Sequence, residues 1–81
     1  MIVRDKYGVT LAEKDWIRLC GWNIVTNKFF YEVVKIKELT HYGNVITDSK
    51  DSNLFSSNDC EKLPSNKKER EQILFLRKLE E

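Results

Sequence analysis

Reactive side chains are scarce in this chain. Its thiols are Cys20 and Cys60, and His41 is its single imidazole. A cysteine nucleophile needs a base within hydrogen-bond reach. No local signature brings either cysteine to His41, which sits in the turn-like run His41-Tyr42-Gly43-Asn44. Two cysteines are too few for a disulfide framework, and they do not form a CxxC pair. One histidine falls short of the usual zinc ligand set. Each cysteine is therefore read as a small, reduced hydrophobe. Asp48 and Asp51 lack the dense carboxylate spacing of a calcium loop and read as a solvated turn. Gly8, Gly21 and Gly43 are scattered, so there is no Gly-rich phosphate loop. The expectation is a non-enzymatic protein with no catalytic residue, no metal and no cofactor.

Binding chemistry is better represented. Trp16, Trp22, Phe29, Phe30 and Tyr31 fall within sixteen residues. Trp16 and Phe30 suit a core, with the other rings packing around loops. The functional reading lines a groove with Trp22, Phe29 and Tyr31, since aromatic rings are enriched in binding hot spots. Lys28, Lys35 and Lys37 project nearby. Cations on phosphate and rings on bases would hold a nucleic-acid strand. Glu32, Glu38 and Asp48 dilute that field, and a plain solvated face competes with both readings. Fourteen Lys and Arg against thirteen Asp and Glu leave a formal charge of +1. That is no basic footprint. A protein partner leads, and nucleic acid is the alternative.

These residues need a scaffold, and 81 residues allow one domain. Hydrophobic residues make up 41% and charged residues 33%, a balance that supports one small core under a heavily charged surface. No apolar run is long enough to cross a bilayer, so no membrane partner is expected. The opening MIVRDKYG turns charged at once and carries no apolar h-region, so a cytoplasmic setting is expected.

Residues 1–64 read as short strands joined by turns. Ile2 to Arg4 suggests a first strand, and Asp5-Lys6-Tyr7-Gly8 a turn. Trp16 to Cys20 is a second strand that Gly21 ends, and Trp22 to Lys28 is a loop. Phe29 to Lys37 carries the strongest strand signal. Strand side chains alternate between faces, so Phe30, Val34 and Ile36 should face the core. Tyr31, Val33, Lys35 and Lys37 share the other face. Val45 to Asp48 is the next strand, Ser49 to Asn53 a polar turn, and Leu54-Phe55 a further strand. Ser57 is placed to cap one tight turn before a last strand at Glu61 to Leu63.

Residues 65–81 change character after Pro64. Asn66 and Glu69 have the spacing of a capping pair. Ile73, Phe75, Leu76 and Leu79 recur at helical steps, with charges flanking them, and predict a helix from about Lys67 to Leu79. Leu76 is the expected centre of its buried stripe, and Leu74 points away. A strand through Ile73 to Leu76 is the competing reading. The helix either packs across an open end of the strand region or leaves part of its stripe for a partner or a second copy.

The run Asp5-x-x-Gly8-x-x-Leu11-x-x-Lys14-Asp15-Trp16-Ile17 resembles the opening of many small SH3-like barrels of phages and bacteria. Lys14 stands where that pattern has glycine. Phe30-Tyr31-Glu32-Val33-Val34-Lys35-Ile36 is similar to their central strand. Phe55 to Leu63 is similar to their closing strand, short turn and final strand. The resemblance implies a mainly β fold: a closed SH3-like barrel of five or six short strands over residues 1–64, carrying a C-terminal helix over 65–81 in a single domain. It also suggests a phage accessory or host-modulating role, although such barrels serve many functions.

Overall fold

The computed structural model describes residues 2–23, 26–48 and 54–80. The side chains of Trp22 and Phe30, together with Asp51 and the turn expected at 49–53, lie outside the described residues. The fold is mainly β with one C-terminal helix. Strands β1 (Trp16–Asn23), β2 (Lys28–Leu39), β3 (Asn44–Thr47), β4 (Leu54–Ser56) and β5 (Cys60–Leu63) form one antiparallel sheet. Their order is β4-β3-β2-β1-β5. Helix α1 spans Lys67–Leu79.

β2 belongs to both halves of the sheet. Residues Lys28 to Lys35 pair with β1, and pairing with β3 begins at Ile36. The register shifts between Ile36 and Glu38. Such an irregularity bends a strand and increases its twist. Alternation then selects one face: Ile17, Leu19, Ile36, Val45 and Cys60 are buried with Val3 and Leu11, and Val34, Leu39 and Phe55 pack against them. Lys35 and Lys37 are exposed, as their register requires.

The expected closed barrel is corrected to an open sheet among the described residues. β4 and β5 stand at opposite ends of the order, and the far edge of β5 is occupied by the N-terminal segment. The Lys6 N–H donates to the Cys60 carbonyl at 3.0 Å, and the Lys62 N–H donates to Asp5 Oδ2 at 2.8 Å. Those bonds take the place that a closing strand would need.

The same segment overrides the expected first strand. Arg4 makes one isolated bridge, to Thr10. Asp5 Oδ1 accepts the N–H groups of Tyr7 and Val9, folding the chain back around Gly8, whose φ is +82°. This loop carries Val3 and Leu11 into the core. β1 also continues through Gly21 to Asn23, because Gly21, Trp22 and Asn23 pair with Phe30, Phe29 and Lys28. The expected loop at Trp22 to Lys28 is correspondingly shorter. The tight turn before β5 is a single 3-10 turn at Ser57–Asp59, capped by Ser56 rather than Ser57. α1 begins where predicted: Asn66 Oδ1 accepts the Glu69 N–H at 3.1 Å.

Candidate interaction surfaces

The thiols and the imidazole sit in different settings: Cys60 in the core, Cys20 half-buried on β1 and His41 in an exposed turn. Cys60 is fully buried, and burial, with help from the charges of Asp59 and Asp5, pushes its thiol up to about 12. It stays protonated at neutral pH and packs as a hydrophobe. His41 is exposed in the turn between β2 and β3. Among the described residues no group of His, Cys, Asp and Glu is placed to hold a metal ion. None of their helices is long and apolar enough to cross a membrane.

The two faces of β1 have different tasks. Ile17 and Leu19 point into the core, so Trp16 and Arg18 must point to the opposite side. Register sets Leu63 beside Trp16 and Glu61 beside Arg18. α1 lies over this second face and is held mainly through arginines. The Arg70 guanidinium sits 4.1 Å from the centre of the Trp16 ring, and its Nη1 donates to the carbonyls of Pro64 and Ser65. Arg77 donates from Nε and Nη2 to the Glu61 carboxylate at 2.8–3.0 Å. Glu61 is only 5% exposed and also lies 3.9 Å from Arg18. Its hydrogen bonds and charge raise the Arg77 pKa further above the ordinary guanidinium value.

This anchoring fixes the rotation of α1 and overturns the expected stripe. Arg70, Ile73, Leu74 and Arg77 turn toward the sheet and are half-buried. Their i, i+3, i+4, i+7 spacing makes one helical face. Leu74 therefore faces inward, not away. Phe75, Leu76 and Leu79 are 62%, 55% and 67% exposed, so Leu76 is not the buried centre. Only Ile73 of the four predicted stripe residues joins the packed face. Arginine stems cover apolar surface while their heads pair or stack, and the two strong anchors outweigh the pull of the leucines.

A second candidate surface runs along β2. Tyr31, Val33, Lys35 and Lys37 share one exposed face, as their alternation predicts, and Phe29 is exposed at the same parity. Lys28 falls on the opposite face by alternation and does not join them. Arg18 lies 4.8 Å from the Tyr31 ring centre and Lys35 5.1 Å from that of Trp16. Between this row and α1 lies a cleft of about 230 Å³ lined by Arg18, Tyr31, Glu32, Val33, Leu74 and Lys78. Of these six, only Tyr31 belonged to the sequence-based set of binding residues; Arg18, Glu32, Val33, Leu74 and Lys78 did not. The signal for α1 was present: Arg70 and Arg77, counted by their stems, complete a stripe with Ile73 and Leu74.

No known protein family, curated protein or solved structure matches the chain.

Proposed function

We propose that this is a non-enzymatic interaction protein that binds another protein through the outer face of α1. One observation carries the reading. The helix turns its arginines to the sheet and presents Phe75, Leu76 and Leu79 to solvent. A helix held only by its own fold would gain by burying these three side chains, each worth about 1.5–3 kcal/mol when fully covered. Amphipathic helices meeting grooves or other helices are a recurrent binding mode. The strand order, the single 3-10 turn before the last strand and the quoted motifs support an SH3-like descent for the sheet. That resemblance extends the proposal to an accessory or host-modulating role.

The test is capture from a cell lysate with immobilised wild type, Phe75→Asp, Leu79→Asp and a Lys35→Glu variant of the β2 face. The reading expects proteins retained by wild type and by Lys35→Glu but lost with both helix variants. Identical sets from all four would overturn it.

A nucleic-acid reading draws on the exposed Phe29 and Tyr31 beside Lys35 and Lys37. It expects oligonucleotide binding with a steep salt slope that Lys35→Glu with Lys37→Glu abolishes. The formal charge of +1 speaks against many phosphate contacts.

A further inference from the structure

The outer face of α1 has a spacing of its own. Lys68, Gln72, Phe75 and Leu79 succeed one another at steps of four, three and four. This is the rhythm of a seam between paired helices. A shallow depression on that face is lined by Lys68, Glu71, Gln72, Phe75 and Leu76. The first four stand at i, i+3, i+4 and i+7, the four corners of a hole that accepts a knob from a facing helix. Leu79, exposed one turn beyond the hole, is an apolar knob carried by the same helix.

The charges beside the seam complete the match. Glu71 and Lys78 lie on one flank, two turns apart. An antiparallel pairing about a two-fold axis near Phe75 sets each Glu71 beside the second copy's Lys78. It also seats each Leu79 over the second copy's hole and brings the two Phe75 rings together. A parallel pairing would stack Lys68 on Lys68 and set neither flank charge against its opposite. Opposite charges facing across helices favour the first arrangement.

We infer that α1 pairs antiparallel with α1 of a second copy of this chain, forming a two-fold dimer centred on Phe75. The inference rests on the reading of this face as a protein-binding surface. The interface is isologous, as a closed two-fold contact must be. Three large apolar side chains per copy fall short of a standard interface, so the dimer is weak and concentration-dependent.

Sedimentation equilibrium of the whole chain from about 10 μM to about 1 mM, the range of a weak contact, tests it. The expected mass rises from monomer toward dimer. Phe75→Asp keeps the monomer mass throughout, with an unchanged circular dichroism spectrum because the position is exposed. Glu71→Lys or Lys78→Glu alone weakens the dimer about tenfold, and the two together restore it. Wild type that stays monomeric overturns self-pairing. A dimer insensitive to Phe75→Asp, or one that the double charge swap fails to restore, overturns this geometry. A monomer whose helix variants still lose captured proteins separates failure of the inference from failure of the broader reading.

Discussion

Arg77 grips Glu61 with two nitrogens at once: Nε lies 3.0 Å from each carboxylate oxygen and Nη2 lies 2.8 Å from Oε2. This fork ties the last turns of α1 to β5. No residue of α1 is fully buried, so the helix depends on such anchors and on Arg70 over Trp16. A lone helix of this length is marginal in water. Arg77→Met should therefore loosen α1 without unfolding the sheet. Amide exchange should quicken about tenfold or more along residues 71–79 while β1 and β2 keep their protection. Leu76→Asp, by contrast, should leave α1 as protected as in the wild type. Equal effects of the two changes would mean that the helix rotation is wrong.

The two thiols should separate sharply. Cys60 is buried and donates to the Ser56 carbonyl at 3.4 Å, whereas Cys20 is half-exposed. A thiol reagent at about pH 8 should label Cys20 quickly and Cys60 only as fast as the chain opens. The raised value also has a sign in stability. Folding holds the Cys60 proton from 9.0 up to about 12, so this contribution is complete below pH 9. It fades as pH climbs from there through 12, because the unfolded chain releases the proton first. The melting temperature of wild type should fall more steeply across that window than that of Cys60→Ala. Parallel curves would show that the thiol is not the titrating group.

Lys14 holds a φ of +70°, a region that suits glycine better than lysine. The turn forms nonetheless, because it is pinned to β2 at both sides. The Lys14 N–H donates to the Ile36 carbonyl at 2.8 Å, and the Ile36 N–H donates to the Asp15 carbonyl at 2.9 Å. Lys14→Gly removes the strain but frees the unfolded chain, for a net gain of about 0.5 kcal/mol. Lys14→Val should lose about 1 kcal/mol or more, since a branched side chain fits positive φ worst. Denaturant midpoints for both variants check the pair. A loss with glycine would place the conformation elsewhere.

Local chemistry explains which parts were legible in the sequence. The faces of β2 follow from alternation alone, so Ile36 in the core and Lys35 and Lys37 outside it could be read directly. The start of α1 follows from the Asn66–Glu69 cap, and its end from the apolar recurrence that runs to Leu79. The rotation of α1 could not be read from polarity, because Arg70 and Arg77 count as polar yet lie against the sheet. Nor does Gly21 announce that β1 passes through it; only pairing with Phe30 carries the strand on. Of the candidate residues, Tyr31, Lys35 and Lys37 lie on the face that alternation predicts, with Phe29 at the same parity, while Lys28 and Ile73 turn elsewhere. The cover over the edge of β5 includes Asp5 meeting Lys62, a contact that spans 57 residues and leaves no local pattern.

That contact gives the last prediction. Asp5 is 5% exposed and satisfies three backbone donors: Tyr7 at 2.9 Å, Val9 at 2.8 Å and Lys62 at 2.8 Å. Two belong to its own loop, and the third belongs to the edge of β5. Asp5→Ala leaves all three N–H groups without their acceptor. A buried donor left unsatisfied costs about 1–3 kcal/mol, and water reaching part of the loop should hold the total to about 2–4 kcal/mol. The damage should also be local in a defined way. The Tyr7, Val9 and Lys62 amides should exchange fastest, while the β1–β2 ladder keeps its order of protection. The bared edge of β5 becomes a template for pairing with other chains, so the variant should aggregate more readily on heating. A variant that melts with the wild type, with the Lys62 amide still protected, would show that the N-terminal segment covers β5 without the help of this carboxylate.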